Sequence, residues 1–354
     1  MSVPDVGPAL EPASEPAPDP APEPALRCSV AARDLGEPVD ATAPRAVSWL
    51  AVVAQGSWAA DATSRLPAPL REALAGAPLV RPLLVRPVGR QESGTGVLLA
   101  GTLPGRTWLR EVDAAGAADA LAALAEPGSP ALAAMASGQD PGLGRRSARP
   151  AVLVCTNGAR DACCAREGRP AAALLQERLG PRRRGLFSRA AVGADVWEAT
   201  HLGGHRFAPT AVVLPSGAVL GGLGPDPARL ADAVEGTLLG RTVLEGYRGR
   251  STWPVHEQAA ETAVRRHLAV VGVNAGQDDV VVDGSTPVDA VSGRAGGSWR
   301  VLVRHSGGRT FRVLVHRSVM EPGRPASCGA AVTPVVLWDS EVDPDPAPGV
   351  YVGL

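Results

Sequence analysis

Apolar and polar positions along the chain change period repeatedly, and the changes outline its elements. Residues 48–54, 79–88, 96–102 and 107–112 are short apolar or alternating runs bounded by Gly, Pro and Asp, which predicts strands. Between and after them, 68–75 and the alanine-rich 113–124 space their apolar side chains as helices do. The run Val152-Leu153-Val154 predicts a buried strand that empties into a loop at Cys155. A helix from about 169 to 179 and a strand over 194–198 follow. Runs 210–214 and 218–220, joined through Pro215-Ser216-Gly217, read as a hairpin, and 226–239 as a helix with Pro225 and Asp226 near its start. In the last third, 256–270 predicts a helix, and 280–282, 299–304, 310–316 and 333–338 predict strands. The stretch SWRVLVRHSGGRTFRVLVHRS alternates on both sides of Ser306-Gly307-Gly308, the signature of a hairpin.

The same pattern divides the chain. Residues 1–26 are acidic, carry no basic side chain and place proline every second to fourth position, so they predict an extended tail without a core. A globular α/β lobe is expected over 27–147, a second unit over 148–241, and a helix with antiparallel strands over 242–354. Two basic stretches stand out. The four arginines of residues 181–189 read as a solvated loop or as a docking patch for an acidic redox partner or an anionic substrate. Arg300, Arg304, Arg312 and His316 share one face of the hairpin and read as solvent-facing.

Composition narrows the functional classes. All 35 basic residues are arginine and the net charge is −1, so no global attraction to nucleic acid or to acidic membranes is expected. No apolar run reaches the roughly 20 residues that span a bilayer, and no basic, then apolar leader opens the chain. An odd number of cysteines, five, without an export signal predicts a reducing cytoplasm, where clustered thiols bind metal or do redox chemistry.

The candidate chemistry lies between residues 151 and 223. Cys155 stands at a strand end; Cys163 and Cys164 follow a polar, glycine-containing stretch; His201 and His205 flank Leu202-Gly203-Gly204. Thiols at a strand end and on a loop can converge on one metal centre without distorting regular structure. Neighbouring Cα atoms lie about 3.8 Å apart, whereas a disulfide prefers roughly 4.4–6.8 Å, so Cys163 and Cys164 are poor partners for one another. One of them is expected to be a ligand and the other a bystander. Two glycines between the histidines argue for a tight loop that leaves space for something bulkier than one zinc ion. Cys28 and Cys328 read as structural or spare thiols. From the residues alone, an iron–sulfur cluster and a tetrahedral Cys2His2 zinc site are both open. Glycoside hydrolysis wants two facing carboxylates, and Asp161 and Asp195 are better explained by loop and strand-end hydrogen bonding.

The pattern CTNGARDACC followed by THLGGHRFAPTAVVLPSG resembles the sucrase/ferredoxin-like family, whose members group with the thioredoxin-like ferredoxins. The resemblance implies a 2Fe–2S cluster on two cysteines and two histidines, with zinc as the alternative. It places the second family cysteine four residues after Arg160, so Cys164 matches the ligand and Cys163 is an extra thiol. Cys155, Cys164, His201 and His205 are then the implied ligands. Arg160 and Asp161 would brace the cysteine loop, and Gly203 and Gly204 would let the histidine loop approach. The strand, helix, strand, histidine loop, hairpin and helix of 148–241 follow the thioredoxin order, with Pro209 where such folds often keep a cis-proline. The expected activity is electron transfer with a redox protein or a small-molecule donor or acceptor, rather than hydrolysis.

Overall fold

The computed structural model describes residues 27–90, 94–180, 192–241, 243–288 and 297–344. The proline-rich tail and the arginines of 181–189 lie outside the described residues. The N-terminal part runs α1 (Cys28–Asp34), β1 (Ser48–Val53), α2 (Ala68–Ala75), β2 (Val80–Pro87), β3 (Thr95–Gly101), β4 (Trp108–Asp113), α3 (Ala117–Ala125), α4 (Pro130–Ala136) and β5 (Arg145–Arg146). The middle runs β6 (Ala151–Cys155), α5 (Ala162–Leu179), β7 (Asp195–Ala199), β8 (Ala211–Leu214), β9 (Ala218–Leu220), α6 (Pro227–Leu238) and β10 (Tyr247–Arg250). The last part runs α7 (Val255–Val270), β11 (Val280–Val288), β12 (Ser298–His305), β13 (Thr310–Pro325) and β14 (Val332–Pro344).

The architecture is mixed α/β. The first ten strands form one sheet in the order β10-β9-β8-β6-β7-β2-β1-β3-β4-β5, and β11 to β14 form a separate antiparallel sheet in chain order. Within the large sheet β6 is parallel to β7 and antiparallel to β8, and β8 is antiparallel to β9. With α5 between β6 and β7 and α6 after β9, this is the strand order and polarity of a thioredoxin-like unit. Strand β2 pairs antiparallel with β7, Val85 opposite Ala199, so the N-terminal strands extend that unit's sheet. Strand β6 is buried on both faces, which is why it reads as a continuous apolar run rather than an alternating one. Its alternate residues feed two cores. Val152 and Val154 pack with Leu175 of α5 and Leu230 of α6, while Leu153 and Cys155 pack with Trp49, Trp197, Leu202 and Cys164.

Several elements depart from the sequence pattern. Helix α5 starts at Ala162 and carries Pro170 in its interior, so Cys163 and Cys164 stand in its first turn and not on a loop. The cause is Asp161, whose Oδ1 accepts the N–H of Cys163 at 2.9 Å and caps the helix. Similarly, Ser129 caps the short α4, accepting from the N–H of Leu132 at 3.2 Å in a stretch where the pattern predicts no element. In the second sheet, Arg300, Arg304 and Arg312 are exposed, but His316 is buried against Ser298 Oγ, 2.9 Å from its Nδ1. The Ala208–Pro209 peptide ahead of β8 is cis. No helix among the described residues is long and apolar enough to cross a membrane.

Candidate metal centre

Cys155 closes β6, and its N–H is held by the carbonyl of Thr210 at 3.0 Å. Gly168 of α5 faces it so closely that a Cβ there would lie 2.0 Å from the Cys155 carbonyl oxygen. That approach sets the first turn of α5 beside the strand end and brings Cys164 against Cys155. Both thiols are buried. A hydrogen bond from Cys164, then others from His201 and from the N–H groups of Leu202 and Asn157, hold the Cys155 thiol well below its ordinary range against the cost of burial. Cys164 is pushed up by the bond to Cys155, by burial and by the Cys155 charge. Of the two thiols, Cys155 is the one whose ionised form its surroundings favour.

The histidine loop turns through Gly203 (φ 92°) and Gly204 (φ 69°), both in the left-handed region that disfavours side chains. Arg248 donates to the Gly203 carbonyl at 2.9 Å, and Arg81 to the His201 carbonyl at 3.2 Å. A Cβ on Gly204 would meet the Arg248 guanidinium. The loop places the His201 and His205 rings 5.1 Å apart between centroids, with His201 bonded to Cys155. The Nδ1 atoms of both rings are buried and have no hydrogen-bond partner. His205 is also bonded to the backbone of Ala326, and its Nε2 lies 3.8 Å from Asp161 Oδ2. Burial lowers the His205 pKa, and the Asp161 charge pulls the other way. Arg81 and Arg248 bring positive charge to the same place. Arg248 is 1% exposed, and burial together with Arg206 and Arg81 lowers its pKa to about 9, with Cys155 acting against the shift.

The four implied ligands thus lie together around the end of β6. Asp161 caps α5 and stands close to His205, whereas Arg160 is exposed. Arg160 lines a cleft of about 340 Å³ with Asp61, Arg81, Asn157, Thr200 and His201. This cleft is the opening toward the histidine side of the site.

A second group was not legible in the sequence. Cys28, Asp161, Cys163 and Cys328 place one donor atom each within 4.8 Å of all the others, a buried, cysteine-rich group that could hold a metal ion. Cys28 and Cys328 read as idle thiols because nothing local connects positions 28, 163 and 328. The only signal was that three of the five cysteines had no assignment.

A family model described as sucrase/ferredoxin-like matches residues 41–249, which takes in Cys155, Cys164, His201 and His205 but neither Cys28 nor Cys328. No curated protein and no solved structure matches the chain.

Proposed function

Since the chain belongs to the sucrase/ferredoxin-like family, we propose that it is an electron-transfer protein holding a 2Fe–2S cluster on Cys155, Cys164, His201 and His205. The observation that carries this reading is the donor set: two contacting thiols, one of them held well below its ordinary pKa, beside two imidazoles whose buried Nδ1 atoms have no partner. A ligating thiol must lose its proton and a ligating imidazole must present a bare nitrogen. With Nδ1 bare, the Ala326 backbone bond falls on the Nε2 side of His205, near Asp161, which fixes the ring and its tautomer as outer partners of metal-bound histidines do. The donors thus fit the group. Two thiolates on one iron and two imidazoles on the other is the Rieske arrangement, and such a cluster supplies a one-electron couple.

The protein around the donors is built to favour the electron. Arg81 and Arg248 hold positive charge near Cys155, where burial keeps it poorly screened. That charge stabilises the reduced, more negative state and raises the potential. A zinc ion on the same donors, in a binding module without redox activity, would never change its charge and would make no use of those cations. The cleft at Arg160 and His201 is the approach for a redox protein or a small-molecule donor or acceptor. Sugar hydrolysis has no support at the site, since Asp161 caps a helix and Asp195 pairs with Arg149 at 3.2 Å.

The test is the visible spectrum of protein purified without oxygen, with iron, sulfide and zinc assays on wild type and Cys155→Ser. Broad visible bands with equal iron and sulfide, both lost in Cys155→Ser, are expected. A colourless wild type whose Cys155→Ser variant loses zinc would mean that these donors hold zinc instead.

A further inference from the structure

Three thiols lie outside the set just described, and they converge from positions 135 to 300 residues apart. We propose that Cys28, Cys163, Cys328 and Asp161 form a second, mononuclear site for one zinc ion, which clamps α1 and the β13–β14 loop onto the first turn of α5. The inference rests on these four side chains and not on the cluster at Cys155.

Distances carry the argument. Cys28 Sγ lies 3.8 Å from Cys163 Sγ and 3.8 Å from Cys328 Sγ, and Cys163 and Cys328 are 3.4 Å apart. A disulfide would bring two of them to about 2.0 Å. Tetrahedral zinc with Zn–S of about 2.3 Å separates its sulfurs by about 3.8 Å, and with Zn–O of about 2.0 Å separates sulfur from oxygen by about 3.5 Å. Asp161 Oδ1 stands 3.6 Å from Cys28 Sγ and 3.2 Å from Cys328 Sγ. The four donors therefore already mark the edges of a zinc-sized tetrahedron.

The two carboxylate oxygens are not equivalent. Oδ2 accepts from Ser327 Oγ at 3.0 Å and from the Cys328 N–H at 2.9 Å, which fills its lone pairs. Oδ1 takes one N–H, from Cys163, and its other hydrogen bonds come from the Cys28 and Cys328 thiols, whose protons an ion would replace. The Ser29 N–H supplies an outer hydrogen bond to the Cys163 thiol, while the Ser29 hydroxyl donates to Glu167 Oε1 at 2.6 Å. Three thiolates and one carboxylate suit a soft-tolerant, tetrahedral ion, and four protein donors leave no open position, the mark of a structural site. Cys28 and Cys163 are buried while Cys328 is partly exposed, which gives the ion a way in. The clamp also has a consequence for its neighbour. Cys163 adjoins Cys164, and the loop held through Cys328 carries Ala326, whose backbone binds the His205 ring.

The test measures metal content of the full chain by mass spectrometry for wild type, Cys155→Ser, Cys328→Ser and Asp161→Asn. One zinc per chain is expected in wild type and in Cys155→Ser, and loss of that zinc in Cys328→Ser. Asp161→Asn keeps a side chain able to cap α5 and should bind zinc more weakly, releasing it to a chelator at least tenfold faster. Cobalt loaded into the Cys155→Ser background gives a readout that removes none of the four zinc donors: strong tetrahedral ligand-field bands with thiolate charge transfer. Wild type without zinc, zinc retained in a folded Cys328→Ser, zinc lost from Cys155→Ser alone, or octahedral cobalt bands would each overturn the site. Failure of the cluster reading shows separately, as wild type without iron.

Discussion

The adjacent thiols Cys163 and Cys164 have opposite surroundings, although sequence alone separates them only by a family register. Cys164 faces Cys155 in the core that also holds Trp49 and Leu202, while Cys163 packs with Cys28 and Cys328. Successive helical residues point about 100° apart, so neighbours in the first turn of α5 can serve two different centres. Cys164→Ser is expected to abolish iron binding and keep zinc. Cys163→Ser is expected to lose zinc and keep most of its iron. Paired iron and zinc assays on the two variants check this, and iron loss from Cys163→Ser alone would put the cluster ligand one residue earlier. Three of the residues proposed to hold iron fall in short local patterns, a strand end or a glycine-spaced histidine pair, and Cys164 is told from Cys163 only by the family register. The residues proposed to hold zinc leave no spacing to read, since Cys28 and Cys328 meet across 300 residues.

At the scale of elements, the apolar runs revealed the strands, but helix starts were hidden wherever a cap and packing overrode local propensity. Gly168 and Pro170 weaken a helix as seen from sequence, and the pattern accordingly delays α5 to about residue 169. In the structure Asp161 caps the helix about two turns earlier, and Gly168 is where α5 touches the end of β6. Two effects then oppose each other in Gly168→Ala. Helix propensity alone would stabilise the protein by about 1 kcal/mol. A methyl 2.0 Å from the Cys155 carbonyl oxygen meets backbone that cannot rotate away, and such overpacking costs roughly 1–3 kcal/mol or more. The clash should win, giving a net loss of stability and reduced iron retention as α5 is pushed off the strand. Urea unfolding with iron assay checks it; a variant more stable than wild type would mean that α5 and β6 do not touch there.

The whole molecule is joined by contacts that no local pattern encodes. The β2–β7 pairing merges the N-terminal strands with the thioredoxin-like unit, and Glu37 ties three distant segments together. Its carboxylate accepts two bonds from Arg324 of β13, at 2.5 and 2.6 Å, and one from Arg206 beside the histidine loop at 2.8 Å. Glu37 itself follows α1, so this one side chain fastens the N-terminal segment and the second sheet to the histidine loop. Burial works to raise the Glu37 pKa, but the Arg324 hydrogen bond and the Arg206 charge prevail and hold it below the ordinary carboxylate value. Because the folded pKa lies under the unfolded value of about 4.3, the stabilisation is complete above that value and fades as pH falls through the folded pKa. Glu37→Gln removes the charge and leaves two largely buried guanidiniums without their counter-ion, which typically costs about 3–5 kcal/mol. The variant should therefore be less stable than wild type by roughly 3 kcal/mol at pH 7, with the gap narrowing as the medium is taken below about pH 4. Urea unfolding of both proteins across that range isolates the effect, since any acid release of metal strikes wild type and variant alike. A gap that stays constant from neutral to strongly acidic pH would show that the glutamate holds these segments by shape and not by charge.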